Sequence, residues 1–211
     1  MTMMRIEAIL FDLGGVLIEL AGVERMLAWS PSLGTTEELW RRWLASPAVR
    51  GYESGRTGRD AFADGIIEEF ALPVSREAFL AEFAHWPRTL NAGARGFLAA
   101  LAPRYTLASL SNTNELHWER FEREWSLPSM FHRNFPSYAV GRLKPDADYF
   151  DHVIGELGVD PARALFVDDN RINVEAARAV GLHARQVPRF EALSAALAEF
   201  GIEAAPAQPA R

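Results

Sequence analysis

Short, largely apolar runs alternate along the chain with stretches in which apolar residues recur at helical spacing. Runs of this kind are typical of strands buried inside a parallel sheet. We predict strands over Ile6–Phe11, Tyr105–Leu110, Ala164–Val167 and Leu182–Val187, with a fifth near Tyr138–Val140. Because strands that alternate with helices indicate βαβ units, the pattern predicts an α/β fold around a parallel sheet.

Helical patterns fill most of the intervals between these strands. Asn91 is predicted to cap a helix over 91–101, and Asp146 to cap a helix that Gly158 ends. A third helix is predicted over 170–180. These helices are expected to cover the faces of the sheet.

The interval from Leu20 to Pro87 contains only helical patterns, and it follows the first strand directly. We predict helices over Glu37–Leu44, Arg59–Phe70 and Ser75–His85. Four of the six Trp lie in or beside this interval, at Trp29, Trp40, Trp43 and Trp86. Large aromatic side chains suit the core of a small helical subdomain, or one of them faces a site and stacks on a sugar or aryl group. The interval therefore indicates an inserted helical subdomain.

Composition excludes several classes of protein. At 211 residues and 49 % hydrophobic content, the chain is able to bury a full core. A net charge of −6 offers no basic stripe for nucleic acid, and the absence of Cys excludes disulfides and thiolate chemistry. No apolar stretch reaches the ~18 residues of a membrane span and no signal peptide is recognisable, so we expect a cytoplasmic protein with no membrane partner. The Ala- and Pro-rich residues 203–211 are expected to form a loose tail.

Polar residues follow the predicted strands at the points where each strand ends. Ligands of open α/β sheets bind at these carboxyl ends, so chemistry is expected there. The residues concerned are Asp12 with Gly14 and Gly15, the run from Ser111 to Asn114, Arg142 with Lys144, and Asp168 with Asp169. Taken singly, Asp12 and Ser111 also fit turn-forming or helix-capping roles.

Two features favour a chemical role over a structural one. Asp168 and Asp169 are adjacent carboxylates that repel each other, and a divalent cation would relieve that repulsion. Lys144 is the only Lys among 22 Lys and Arg residues. A chain so biased towards Arg is expected to keep a compact ammonium only where a planar guanidinium does not serve.

These residues also carry a family resemblance. The segments FDLGGVL, LSNTN, RLKPD and FVDDN, in that order, resemble the four motifs of the haloacid dehalogenase-like hydrolase superfamily. The insertion resembles the C1-type cap of its subfamily I, and the whole is most similar to a phosphatase group that includes bacterial glucose-1-phosphate phosphatases and the N-terminal domain of soluble epoxide hydrolases. The resemblance implies a Rossmann-like core over 1–18 and 88–202, a helical cap over 19–87, and a tail over 203–211.

The resemblance also implies roles for individual residues. Asp12 would be the nucleophile that forms an aspartyl-phosphate, Ser111 would donate a hydrogen bond to the phosphoryl group, and Lys144 would neutralise charge on both. The substrate phosphate would also contact Leu13, Gly14 and Asn112. Mg²⁺ would be held by Asp12, the backbone carbonyl of Gly14, Asp169 and Asp168, the last directly or through water. The expected function is a Mg²⁺-dependent phosphatase, a monomer or homodimer, acting on a small phosphate ester, with a sugar phosphate favoured.

Gly14 departs from the usual pattern of these phosphatases. The residue two positions after the nucleophile is commonly a second Asp that protonates the leaving group, and such help is worth ~10²–10⁴ in rate. The enzyme either favours good leaving groups or takes its acid from solvent or from the cap, where Glu53 is a candidate. Glu53 belongs to a predicted Gly-rich loop over 52–60, in which Arg56 and Arg59 are candidate phosphate contacts.

Two alternatives to a phosphatase stay open on the residues, and a third is excluded. A 2-haloacid dehalogenase also lacks the acid but binds no metal, and is expected to carry Ser-Asn in place of Asp168 and Asp169. A phosphonate-cleaving relative needs a second lysine, which the chain does not have. A non-enzyme would keep the phosphate and Mg²⁺ site for binding or regulation, with turnover too slow to matter.

Overall fold

The structure, a computed structural model, describes residues 5–203 and contains a five-stranded parallel sheet. The strands are β1 (Ala8–Phe11), β2 (Ile18–Leu20), β3 (Pro87–Leu90), β4 (Thr106–Ser111), β5 (Arg133–Pro136), β6 (Ala164–Asp168) and β7 (His183–Gln186). The order across the sheet is β5-β4-β1-β6-β7, which places β1 at its centre. The predicted Rossmann-like α/β class is therefore confirmed.

Helices cover both faces of this sheet and fill the long insertion. They are α1 (Gly22–Trp29), α2 (Thr36–Ala45), α3 (Pro47–Glu53), α4 (Arg59–Glu69), α5 (Arg76–Phe83), α6 (Ala94–Leu101), α7 (Glu115–Trp125), α8 (Ser137–Val140), α9 (Ala147–Leu157), α10 (Arg171–Ala179) and α11 (Leu193–Ala198). No helix within residues 5–203 is long and apolar enough to cross a membrane.

The edge strand next to β4 corrects one prediction. Residues Ser137–Val140, near which the fifth strand was expected, form the short helix α8, which ends at Gly141 with a positive φ of 77°. The strand lies just before it, where Arg133–Pro136 pair with residues 108–111 of β4. Two of these four residues are polar because an edge strand is covered on one side only, and this hid the strand from a search for apolar runs.

Only some of the predicted helix ends are in place. Gly158 ends α9 in the left-handed conformation, whereas Asp146 lies at the start of α9 without a side-chain hydrogen bond to the helix. Asn170, for which no cap was predicted, accepts a hydrogen bond from the N–H of Ile172 at the start of α10. Asn91 does not cap α6, which begins at Ala94 after Gly93. The backbone N–H of Asn91 instead donates to the carbonyl of Leu17, which ties this segment to the loop after β1.

The insertion contains the three predicted helices as α2, α4 and α5, together with two that the pattern did not reveal. Thr35 and Glu38 form a reciprocal capping box at the start of α2. Helix α3 begins at Pro47 after Ser46, whose hydroxyl accepts from the N–H of Val49. This helix is only two turns long and contains Gly51, so it has too little apolar periodicity to be recognised.

A short antiparallel pair, β2 with β3, joins the insertion to the sheet. Ile18 lies opposite Leu90, and Ile18 also bridges back to Gly14 in the loop after β1. The chain therefore passes beside the candidate site both where it enters the insertion, at β2, and where it leaves the insertion, at β3. The division into a core over 1–18 and 88–202 and a cap over 19–87 stays a proposal, and residues 204–211 of the predicted tail lie outside the described residues.

The insertion has a hydrophobic cluster of its own, distinct from the two clusters that flank the sheet. Phe62 is 1 % exposed and stacks on Tyr52 with ring centroids 4.5 Å apart. Phe83 lies 4.9 Å from Phe62, and Trp43 meets Trp86 at 5.1 Å. Aromatic burial of this kind contributes ~1.5–3 kcal/mol for each side chain, so the helices are held together by their own core.

Replacing Phe62 by Ala should lower the free energy of unfolding by ~3–5 kcal/mol, because the cluster loses a buried ring and keeps part of the cavity. Urea unfolding followed by tryptophan fluorescence measures the change. Glu68→Ala, exposed on the same helix, is the control and should change stability by less than about 0.5 kcal/mol. A Phe62→Ala loss no larger than that of the control would contradict the tight packing of this cluster.

Candidate active site

The carboxyl ends of three neighbouring strands bring the predicted residues to one edge of the sheet. Asp12 follows β1, Ser111 ends β4 and Asp168 ends β6, and the register pairs Phe11 with both Ser109 and Val167. Lys144 enters from the segment between α8 and α9. All except Asp168 line one cavity of about 800 Å³ that lies between the sheet edge and the inserted helices.

Lys144 is the centre of the site. Its ammonium donates hydrogen bonds to Asp12 Oδ1 at 2.8 Å, Asp168 Oδ2 at 2.7 Å and the carbonyl of Leu110 at 3.0 Å. The side chain is 2 % exposed, and its nitrogen lies 5.4 Å from the ring centre of Phe166. Three donors meet three acceptors, which a compact ammonium achieves and a planar guanidinium of fixed fork geometry does not.

Asn112 holds Lys144 in position through its backbone. The Asn112 amide donates to the Lys144 carbonyl at 2.9 Å and accepts from the Lys144 N–H at 2.9 Å. Both ends of the amide are thereby used by the neighbouring loop. Asn112 lines the cavity, and its predicted contact with substrate stays a prediction.

The two adjacent carboxylates have different surroundings. Asp168 is fully buried and accepts from Lys144, from the N–H of Asn170 at 2.7 Å and from the Asn173 amide at 3.1 and 3.0 Å. Asp169 is half-buried and lines the cavity. Asp168 is therefore fully engaged by contacts within the protein, whereas Asp169 remains accessible from the cavity.

The site carries more negative than positive charge. Within residues 5–203, only one cluster of three or more His, Asp or Glu side chains has ligand atoms that all lie within 4.8 Å of one another, and it consists of Asp12, Asp168 and Asp169. Lys144 supplies the only ammonium there. Burial, opposed by the Lys144 ammonium, raises the pKa of Asp12 to about 7. Burial and the charges of Asp12 and Asp168 raise the pKa of Asp169 to about 8. An oxygen-ligated divalent cation fits this cluster because it would supply the missing positive charge.

Different structural constraints act at Gly14 and Gly15. Gly15 has a φ of +74°, and a Cβ there would lie 2.2 Å from Asp169 Oδ2, so a side chain would displace the carboxylate. A Cβ on Gly14 would meet only the Leu20 side chain, at 2.6 Å from Cδ1, which is a flexible neighbour. Backbone geometry therefore requires glycine at position 15. At position 14 the backbone would tolerate an acidic side chain, but Gly14 supplies none.

Two residues with hydroxyl groups line the cavity at and after the end of β4. Ser111 is 4 % exposed, and its Oγ has only a long contact of 3.5 Å with the Asn112 carbonyl. Thr113 Oγ1 is buried and has no hydrogen-bond partner in the described part of the chain. Thr113 belongs to the motif LSNTN, but no role was predicted for it. The Ser111 hydroxyl therefore has no strong partner within the protein.

The insertion supplies the opposite wall of the cavity, which is largely apolar. Its lining includes Leu20, Trp40, Trp43, Leu44, Phe83 and Trp86. Trp86 Nε1 is buried without a hydrogen-bond partner among the described residues. Trp29 packs on Phe79 instead, with centroids 6.0 Å apart. Trp40, Trp43 and Trp86 therefore both pack within the insertion and line the cavity.

The two arginines that were predicted to contact the phosphate are not part of the cavity wall. Arg56 and Arg59 are exposed and do not line the cavity, so this structure does not place them as phosphate contacts. Glu53 comes just before them, is half-buried and lines the cavity beside Asp12.

Comparison with known proteins identifies the class. The family model for haloacid dehalogenase-like hydrolases matches residues 6–181, so the chain belongs to this family. A sesquiterpene phosphatase of Aspergillus oryzae is 27% identical over 189 residues, which cover 83% of this chain and 87% of the relative. A D-ribitol-5-phosphate phosphatase of Bacteroides thetaiotaomicron is 24% identical over 192 residues, covering 86% of this chain and 91% of the relative.

A solved structure has a similar fold. A HAD family enzyme of Bacteroides thetaiotaomicron, in complex with magnesium and inorganic phosphate, superposes with a TM-score of 0.68 at 27% identity. The match covers 86% of this chain and 93% of that one. The motif-based recognition of the family is confirmed.

Without metal, the free energy of unfolding should fall as pH rises from about 4 to about 8. The pKa values of Asp12 and Asp169 are about 7 and about 8 in the folded protein and near 3.8 when unfolded, so the folded state binds more protons in this window. Denaturation in chelator at several pH values measures this slope, and Mg²⁺ should remove most of it.

Asp169→Asn is the control for the metal effect, because it removes one carboxylate of the cluster. The variant should show a shallower slope and a smaller gain from Mg²⁺. An equal Mg²⁺ gain in the variant and the wild-type chain would contradict metal binding at this cluster.

Proposed function

We propose that the protein is a Mg²⁺-dependent phosphomonoester hydrolase. The observation that carries the proposal is the Asp12 carboxylate, which lies 2.8 Å from the Lys144 ammonium and beside Asp169 on the wall of the cavity. The family match and the phosphatase relatives support a phosphate ester as substrate. The function therefore joins a nucleophile, a fixed positive charge and a cation site in one place.

The chain's own residues define the expected steps. An Asp12 oxygen attacks phosphorus, the bond from phosphorus to the ester oxygen breaks, and water then hydrolyses the aspartyl-phosphate, which divides one difficult displacement into two. Ser111 donates a hydrogen bond to the phosphoryl oxygens, and Lys144 orients Asp12. When bound by Asp12, Asp169 and the Gly14 carbonyl, Mg²⁺ would stabilise the negative charge that develops on the phosphoryl group. Asp168, whose oxygens already accept four hydrogen bonds, orients Lys144 and Asn173.

The residues favour this reaction over the two open alternatives. In a metal-free dehalogenase, Asp169 would place a second negative charge against an anionic haloacid, with only Lys144 to oppose it. A binding protein needs no nucleophile aligned with a buried ammonium, yet Asp12 and Lys144 are so aligned. Activity measurements separate this second alternative from an enzyme.

The substrate is a small phosphorylated metabolite. A sugar phosphate is the expectation from sequence, and stacking on Trp40 or Trp43 would suit the apolar face of a sugar. The apolar wall also suits an ester with an aryl or isoprenoid group, since such a group would bury surface against it. A test panel must therefore contain both kinds of ester.

We expect Mg²⁺-dependent release of phosphate from a panel of sugar phosphates, polyol phosphates, isoprenoid monophosphates and p-nitrophenyl phosphate. Asp12→Asn should abolish turnover, because the amide is not a nucleophile for phosphorus. A molybdate assay of released phosphate, with and without chelator, measures both effects.

Asp151→Asn is the matched control, since Asp151 is exposed on α9 and lies outside the cavity. It should keep wild-type activity. Turnover that survives Asp12→Asn would contradict the assigned nucleophile, and a wild-type chain that binds phosphate and Mg²⁺ but hydrolyses no ester would favour the binding protein.

Trp40→Ala tests the cavity wall. If the organic group of the ester packs on Trp40, the variant should raise KM about tenfold for an aryl or isoprenoid ester, since a lost aromatic contact is worth ~1–2 kcal/mol. Inhibition by inorganic phosphate is the internal control and should not change, because phosphate has no organic group to pack on Trp40. An unchanged KM for every ester would show that Trp40 contributes packing only.

A further inference from the structure

The proposed function leaves one proton without a donor. An alkoxide leaving group must be protonated as the bond to phosphorus breaks, and position 14, where an acid would serve, is Gly14. The following inference rests on the proposed function. It concerns which group of this chain supplies that proton.

The end of α3 is anchored to the sheet domain next to the candidate site. Ser137 Oγ donates to the backbone carbonyl of Glu53 at 2.6 Å, and Arg50 pairs with Asp146 at 2.5 Å. Gly55, with a φ of +68°, passes so close to Tyr138 that a Cβ would lie 2.3 Å from its carbonyl oxygen. These contacts on both sides of Glu53 hold its backbone in one place relative to the cavity.

Glu53 lies on the cavity wall, and its side chain is not engaged elsewhere. Glu53 lines the cavity together with Asp12, Ser111 and Lys144, and its carboxyl is close enough to Asp12 and Lys144 to interact with their charges. Among residues 5–203, its carboxyl has no hydrogen-bond or ion-pair partner. A half-buried carboxyl on a cavity wall without a partner is available to a ligand.

The charges around Glu53 suit an acid. Burial raises the pKa of Glu53 to about 8, the charge of Asp12 acts in the same direction, and Lys144 and Arg50 oppose it. The carboxyl therefore keeps its proton near neutral pH, whereas an ordinary Glu does not.

Other titratable groups on the cavity wall are less suitable. Glu37 and Glu175 are exposed and contact Arg41 and Arg171 respectively. His117 is held between Asn114 and the Phe83 carbonyl, and burial lowers its pKa to about 4, so it is neutral and engaged.

We propose that Glu53 is the general acid and base of the reaction, supplied by the inserted helices in place of a side chain at Gly14. As Asp12 attacks phosphorus and the ester bond breaks, the Glu53 carboxyl transfers its proton to the leaving oxygen and releases an alcohol. The Glu53 carboxylate then takes a proton from the water that attacks the aspartyl-phosphate. Phosphate leaves, and both Asp12 and the protonated Glu53 are restored.

Glu53→Gln tests this proposal through the leaving group. For an alkyl phosphate from the panel, kcat/KM should fall by ~10²–10⁴, the usual value of general acid help. For p-nitrophenyl phosphate, whose phenolate leaves without a proton, kcat/KM should change by less than about threefold. A merely structural role for Glu53 would lower both values equally.

Two further variants keep the test specific. Glu68→Gln, an exposed Glu on α4, should leave both esters unaffected. Adding Gly14→Asp and Leu20→Ala to Glu53→Gln should restore part of the alkyl activity, because the smaller Leu20 gives room for an acid at position 14. Binding of inorganic phosphate and Mg²⁺, measured by calorimetry, should persist in Glu53→Gln and would show that the site is intact.

The outcomes separate the two proposals. If the wild-type chain hydrolyses both esters and Glu53→Gln loses them equally, or loses neither, the assignment of Glu53 is overturned and the phosphatase stands. If the wild-type chain hydrolyses no ester, the proposed function fails and this inference fails with it.

Discussion

The rest of the site depends on one buried ammonium. Lys144 donates hydrogen bonds to Asp12 at the end of β1 and to Asp168 at the end of β6, and it also donates to the carbonyl of Leu110 near the end of β4. Removing one partner of such a buried pair typically costs ~3–5 kcal/mol, because the other charge is left without compensation. The same ammonium that positions the Asp12 carboxylate therefore also helps to fix three strands and a loop relative to one another.

The charge balance around Lys144 explains the two groups that the site still requires. One ammonium does not neutralise three carboxylates, so Asp12 and Asp169 have raised pKa values and a divalent cation is favoured between them. Burial beside these charges also keeps Glu53 protonated. The excess of buried carboxylate thus favours a bound cation at Asp12 and Asp169 and supports the proposal that Glu53 acts as an acid.

The inserted helices contribute chemistry as well as cover. Their aromatic core is continuous with the apolar wall of the cavity, since Trp43, Phe83 and Trp86 belong to both. Contacts such as Ser137 to Glu53 and Arg50 to Asp146 join the inserted helices to α8 and to the start of α9. Packing in the insertion consequently shapes the apolar wall of the cavity.

The sequence by itself determined the class, the parallel sheet and the motif residues. Apolar runs and strand-end polar residues are local features, so Asp12, Ser111, Lys144, Asp168 and Asp169 were recognisable from the chain alone. The edge strand Arg133–Pro136, helix α3 and the pairing of β2 with β3 were not, because partial burial and long-range pairing leave little local pattern. Only the tertiary structure decided that Asn112 holds the Lys144 backbone, that Gly15 makes room for Asp169 and that Glu53 reaches the cavity. Each of these depends on contacts between residues far apart in the chain, and no local pattern records them.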